Sequence, residues 1–151
     1  MRTDTLNLVK KLEKIFLENK DKRIIVVGTT CTGKSFLFDE TKIAFPVSKL
    51  RTPPLTKKEN DFVCQTPWTP EIGQTMIKLT RERVKVKPGI PLYGTVVLDS
   101  DLIVYLKISD GLLKERCSLR KVDFKDAKGM QKQIEEEIRK AKTKTIKISV
   151  G

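Results

Sequence analysis

The stretch Ile24-Ile25-Val26-Val27-Gly28-Thr29-Thr30-Cys31-Thr32-Gly33-Lys34-Ser35 decides the fold of this chain. Its first four residues are apolar and β-branched without alternation, which is typical of a parallel strand buried on both faces. The loop that follows contains two glycines, and a helix is expected from Lys34 to about Glu40. A strand that passes directly through a glycine-containing loop into a helix predicts an α/β domain.

The residues from Gly28 to Ser35 match the Walker A pattern G-x-x-x-x-G-K-[ST] at every fixed position. In this loop the backbone N–H groups and the N-terminus of the next helix bind phosphate, which predicts binding roles for Gly28, Thr29, Thr30, Cys31, Thr32 and Gly33. Lys34 is expected to place its charge near the β- and γ-phosphates, and Ser35 to bind Mg²⁺ through its hydroxyl. The sequence therefore predicts a site for ATP, or another nucleoside triphosphate, together with Mg²⁺.

Outside this stretch, helical and strand patterns alternate along the chain. Helices are predicted over residues 5–19, 56–64, from 70 through at least 79, 109–120 and 124–141, and strands over residues 102–108 and 145–150, with a short strand near 45–48. Thr56 and Glu59 form a capping-box pattern at the start of one of these helices. We expect a single domain over residues 1–151, with about five parallel strands in a three-layer α/β/α arrangement and an extra helix in residues 1–20.

Composition narrows the possible functions. The chain has 151 residues, of which 38% are apolar, and it contains three cysteines and no histidine. Structural zinc, disulfides and Ser-His or Cys-His nucleophile pairs are not expected, so any proton transfer falls to Asp or Glu. No apolar run reaches about 18 residues and the first residues do not resemble a secretory signal, so we expect a cytoplasmic protein without a membrane partner.

The formal net charge of +12 predicts attraction to polyanions, either phosphorylated metabolites or nucleic acid. Many of the lysines lie in runs within helical stretches, which favours a solvated surface. Nucleic-acid binding is therefore expected to be weak and salt-sensitive. The sequence does not indicate an oligomeric state.

The chain resembles the small P-loop kinases, the group that holds the nucleoside monophosphate kinases, shikimate kinase and dephospho-coenzyme A kinase. Beyond the Walker A loop, the resemblance is carried by a strand ending in a polar residue, Leu102 to Ser109, and by a helix with Arg116 and Arg120. It implies a lid-like helical region over about residues 110–142, whose two arginines stabilise charge on the transferred phosphoryl group. It also implies Mg²⁺-dependent transfer of the γ-phosphoryl of ATP to a small acceptor, such as a nucleotide or nucleoside.

Two features depart from this family. The segment Thr95 to Asp99 looks like a Walker B strand with Asp99 as a metal-orienting carboxylate, but only three residues separate its last apolar residue from Leu102. Because parallel neighbours need a crossover of about a dozen residues, the third strand could instead lie at Val84 to Lys87, which leaves Asp99 or Asp101 as a loop carboxylate. No closing helix follows the last predicted strand, and the N-terminal helix could cover that side of the sheet.

The acceptor site is expected between the helix after the Walker A loop and the residues before Leu102. Asp39 lies one helical turn past Ser35 and could orient or deprotonate an acceptor hydroxyl. Arg51 and the segment Gln65 to Thr69 are further candidates, with Trp68 either covering the acceptor or packing the loop. Two other functions stay open: a kinase acting on polynucleotide ends, and a nucleotide-binding regulator or degenerate kinase without transfer activity.

Overall fold

The computed structural model describes residues 3–151, and the side chains of residues 6–151. Along this range the helices and strands follow one another as α1 (Thr3–Glu18), β1 (Ile24–Val27), α2 (Lys34–Thr41), β2 (Phe45–Pro46), α3 (Lys57–Val63), α4 (Pro70–Arg83), β3 (Leu92–Gly94), β4 (Leu102–Ile108), α5 (Asp110–Arg120), α6 (Phe124–Ala141) and β5 (Thr145–Val150). A short 3₁₀ helix, Val47–Lys49, follows β2 directly.

The sheet has the order β2-β3-β1-β4-β5, and every pair of neighbouring strands is parallel. Strand β1 is central, since Ile25 pairs with Leu92 of β3 on one side and with Ile103 of β4 on the other. Each residue of β1 is at most 1% exposed. The predicted buried parallel strand and the α/β class are confirmed.

Helices cover both faces of the sheet. On one face, α1, α2 and α5 pack through residues such as Leu12, Phe38 and Leu113. On the other face, α4 and α6 pack through Ile77 and Ile134. These two layers confirm the three-layer arrangement, and α1 covers part of the first face as expected.

Polar side chains cap the N-termini of α3, α4, α5 and α6. The Thr56 hydroxyl accepts a bond from the Glu59 N–H at 3.1 Å, and the Thr56 N–H donates to the Glu59 carboxylate at 2.9 Å, which completes the capping box. Thr69, Ser109 and Asp123 cap α4, α5 and α6 through their side chains. Each cap satisfies an N–H group of the first helical turn that has no partner within the helix.

The third strand was predicted at the wrong place. Strand β3 is Leu92–Gly94, whereas the segment 95–98 is not a strand and Lys87 forms only an isolated bridge with Ile90. The residues 95–101 instead return along the face of the sheet beneath α4 and α6, where Val96, Val97 and Leu98 are buried. A short apolar run has the same sequence pattern in a buried strand and in a buried connection, so periodicity could not separate them.

Over the described residues, helices long and apolar enough to cross a membrane do not occur.

Candidate phosphate-binding site

The Walker A residues join the carboxyl end of β1 to α2. After β1 the chain continues to β2, the strand at one lateral edge of the sheet. After the adjacent β4 it continues through α5 and α6 to β5, the strand at the opposite lateral edge. Neighbouring strands whose connections leave in opposite directions form a crevice at the carboxyl edge, which is where open parallel sheets bind ligands. The loop lies at this crevice.

The loop backbone is shaped to present N–H groups. Cys31 and Gly33 have φ angles of 65° and 93°, both in the left-handed region. Turns of this kind gather successive N–H groups into an anion-binding concavity, and a non-glycine residue held there is a form of strain that clusters at functional sites. Gly33 is also the N-cap of α2 and has no side chain to bond the first-turn N–H groups, which leaves them available to an anion.

A side chain at position 33 would also meet a steric obstacle. A Cβ atom built on Gly33 would lie 3.1 Å from the Arg116 guanidinium. The glycine of the Walker A pattern is therefore required here for its left-handed conformation, and a side chain would in addition have to displace the end of Arg116.

The Lys34 ammonium lies within the loop. Its Nζ donates hydrogen bonds of 2.7 Å to the carbonyl oxygens of both Gly28 and Thr29. Burial lowers the pKa of Lys34 to about 7, and the positive charge of Arg120 acts in the same direction. The site thus holds its lysine close to the loop backbone, with a pKa well below the ordinary value of a lysine.

Both predicted arginines lie beside the loop. The half-buried Arg116 guanidinium donates to the Thr32 carbonyl at 2.7 Å and more weakly to the Cys31 carbonyl at 3.5 Å. Arg120 is exposed and, together with Arg116, lines a cavity of about 210 Å³ next to Gly33. The structure therefore places Arg116 and Arg120 beside the loop that holds Lys34, and their catalytic role stays a prediction.

The region expected to form a lid is packed into the domain. Leu113 of α5 and Ala127 of α6 are fully buried in the core. The Thr29 hydroxyl, itself fully buried, donates to the Ala127 carbonyl at 2.6 Å and ties the Walker A loop to α6. The lid-like description of residues 110–142 is corrected accordingly: the two helices form the packed crossover from β4 to β5.

The expected metal role of Asp99 is wrong. Its carboxylate pairs with the Arg23 guanidinium at 3.0 Å, and Asp101 pairs with the same guanidinium at 3.0 Å. Arg23 directly precedes β1, whereas Ser35 follows the opposite end of that strand. Asp99 and Asp101 therefore lie at the amino edge of the sheet, across the full length of β1 from the Walker A loop.

Asp39 and Asp126 are carboxylates on two of the helices that meet the loop. Asp39 is exposed on α2, one turn beyond the exposed Ser35. Asp126 lies in the first turn of α6 and is only 7% exposed, and the next residue is Ala127, whose carbonyl bonds Thr29. Among the described residues, groups of three or more Cys, Asp or Glu side chains able to hold a metal do not occur.

The remaining acceptor candidates lie between helices. Arg51 donates to the Met76 thioether at 3.3 Å, and its pKa is lowered first by burial and then by the charge of Arg83. Trp68 contacts the two glycines Gly73 of α4 and Gly129 of α6, where an added Cβ would come within 2.6 Å of the indole ring. The indole fills the gap between these helices, which supports the packing interpretation of Trp68.

Sequence reasoning missed Phe36, an aromatic residue that lines the cavity beside the loop. Phe36 is 49% exposed, whereas the two residues after it, Leu37 and Phe38, are 3% and 2% exposed. The signal was present, because three consecutive apolar residues on a helix cannot all face one core. Leu8 of α1 lines the same cavity and had no signal that could connect it with the loop.

No protein-family model and no curated protein matches this chain.

Proposed function

We propose that this chain is a small ATP-binding P-loop kinase that uses Mg²⁺ to transfer the γ-phosphoryl group to a small acceptor, such as a nucleotide or nucleoside. The observation that carries the proposal is the phosphate loop at the carboxyl edge of β1, with Cys31 and Gly33 in left-handed conformations and Lys34 inside the loop. A triphosphate fits this arrangement, because N–H groups, a helix N-terminus and an ammonium all favour negative charge at one place.

The carboxyl edge also fits the way in which proteins hold Mg²⁺ beside phosphates. Such ions keep several waters and take few protein ligands, the rest coming from phosphate oxygens. The exposed Ser35 hydroxyl would hold the ion, and Asp39 of α2 and Asp126 of α6 are candidate carboxylates to orient its waters. The ion would neutralise charge as the phosphoryl group moves, while Arg116 would add positive charge from α5.

The triphosphate part of the proposal is tested by Lys34→Ala in a thermal-shift assay with Mg·ATP. The parent is expected to be stabilised by Mg·ATP and the variant to lose most of that stabilisation, because the ammonium contacts the phosphates electrostatically. Lys78→Ala is the matched control, since Lys78 is an exposed lysine in the middle of α4. Equal stabilisation of the parent and Lys34→Ala would mean that the loop does not bind triphosphate.

A second candidate is a nucleotide-binding regulator or degenerate kinase that binds ATP without transfer. It is favoured by the residues that follow β3. A Walker B strand would be followed by a metal-orienting carboxylate, whereas β3 ends at Gly94 and is followed by Thr95. A third, a kinase acting on polynucleotide ends, is favoured by the net charge of +12. Incubation with γ-labelled ATP and a panel of nucleotides, nucleosides and single-stranded oligonucleotides separates the three, since only a kinase labels an acceptor.

A further inference from the structure

The cavity of about 210 Å³ beside the phosphate loop is bounded by three helices and the last strand. Leu8 comes from α1, Phe36 from α2, Arg116 and Arg120 from α5, and Val150 from the end of β5. Ligand sites for whole drug-sized molecules occupy about 300–1,000 Å³. This cavity is therefore large enough for one part of a nucleotide while the phosphates lie in the adjoining loop.

Phe36 is the unusual member of this lining. Its side chain is 49% exposed although it directly follows the phosphate-loop residue Ser35. Exposing an aromatic ring forgoes the free energy of its burial, and here the exposed residue is part of the cavity lining. A ring in this setting offers a flat apolar surface to a ligand.

Another member of the lining offers a second flat surface. Arg120 is exposed, and no hydrogen bond or ion pair among the described residues uses its guanidinium. Planar guanidinium groups stack on aromatic rings, whether these belong to side chains or to bases. The cavity therefore combines an aromatic ring, a planar cation and the aliphatic side chains of Leu8 and Val150, a set that matches a flat aromatic heterocycle.

We infer that this cavity binds the base of the nucleotide, with Phe36 and Arg120 contacting the ring and Leu8 of α1 closing the outer wall. The inference rests on the proposed function, because it takes the triphosphate to lie in the Walker A loop. It gives α1 a direct part in the binding site in addition to its packing on the sheet. Recognition occurs mainly through stacking, because the side chains that line the cavity include no carboxylate or amide.

The test compares two ligands that share the phosphates and differ in the base. Dissociation constants for Mg·ATP and for Mg·tripolyphosphate are measured by calorimetry on the parent, Phe36→Ala and Phe45→Ala. Loss of one stacking aromatic is expected to weaken ATP binding by about 5- to 100-fold, with tripolyphosphate binding changed by less than about twofold. Phe45 is the matched control, since it is also 49% exposed but lies in β2 at the edge of the sheet.

The results separate this inference from the proposed function. A parent that binds neither ligand contradicts the proposed function. A parent that binds both ligands, with Phe36→Ala weakening both equally or neither, overturns the base site and leaves the phosphate site intact.

A second variant tests the wall formed by α1 without depending on Phe36. Leu8→Trp places a larger side chain in the cavity without adding charge. ATP binding is therefore expected to fall, while tripolyphosphate binding persists. Thermal melting without ligand shows whether the variant is folded, and retained tripolyphosphate binding shows that the loop is intact. Parental ATP affinity in a folded Leu8→Trp protein would overturn the assignment of α1 to the site.

Discussion

Binding of ATP is predicted to take up a proton, because Lys34 is partly neutral before nucleotide is added. Burial lowers the pKa of Lys34 to about 7. The negative charges of a triphosphate beside Nζ favour the ammonium form and raise this pKa again. A group with a pKa of about 7 is about 10% protonated at pH 8, so binding at pH 8 should take up about 0.9 of a proton, falling to about 0.5 at pH 7.

The assay is titration calorimetry at pH 8 in two buffers with different ionisation enthalpies. The difference in observed binding enthalpy between the buffers gives the number of protons taken up. A terminal phosphate has a pKa near about 6, so at pH 8 the nucleotide itself contributes little. Lys34→Arg serves as a comparison, because a guanidinium stays charged and should show almost no uptake.

Two results would refute this reasoning. Proton uptake near zero for the parent at pH 8 would mean that Lys34 is already an ammonium in the unbound protein. Equal uptake by the parent and Lys34→Arg would mean that another group accepts the proton. The same pKa also affects stability: because the pKa falls from its ordinary 10.5 to about 7 on folding, the unfolded chain binds more protons between these values. Stability should therefore rise with pH across that window, and less so in Lys34→Arg.

Three further predictions follow from the contacts around the loop. Arg116→Ala should lower single-turnover phosphoryl transfer by about a hundredfold or more with ATP affinity changed by less than about tenfold, and equal losses in both would mean that Arg116 only binds ATP. Thr29→Val removes the buried 2.6 Å bond to Ala127 and should lower the free energy of unfolding in urea by about 1 kcal/mol, whereas Thr75→Val, which loses an exposed bond to a helix carbonyl, should change it by less than about 0.5 kcal/mol. Oligonucleotide binding should be measurable at low salt and disappear near physiological salt, as fluorescence anisotropy can follow; tight binding that persists there would favour a polynucleotide acceptor.

Helices and strands were predictable where the local sequence pattern is compatible with only one type of secondary structure. Strand β1 is β-branched throughout and ends at a glycine, and Thr56, Ser109 and Asp123 are side chains that cap helices. The third strand was not predictable, because Val96 to Leu98 and Leu92 to Gly94 both carry buried apolar residues. Which of the two joins the sheet depends on hydrogen bonds to β1, and these link residues far apart in the chain.

Some residues of the candidate site were predictable from the sequence and others were not, for the same reason. Residues within the Walker A pattern are adjacent in sequence, so their convergence followed from the loop itself. Asp99 was assigned to the wrong edge of the sheet because its placement depended on which end of a strand it belonged to. Its hydrogen-bonded pair with Arg23 has no signature in a single sequence, since the two residues lie 76 positions apart. The contacts of Thr29 with α6 and of Leu8 with the cavity are tertiary in the same sense.

The central position of β1 has a consequence for how the chain acquires its fold during synthesis. Ile25 emerges before its partners Leu92 and Ile103, so neither edge of β1 can pair until the chain has left the ribosome as far as these residues. Contacts this distant in sequence slow folding, because a long loop must close before they stabilise anything. Until then Ile24–Val27 is an exposed β-branched segment with two free edges, a type of sequence prone to aggregation. Nascent chains stopped before Leu102 should therefore depend on chaperones that bind apolar strands, and those that extend past Val150 should not.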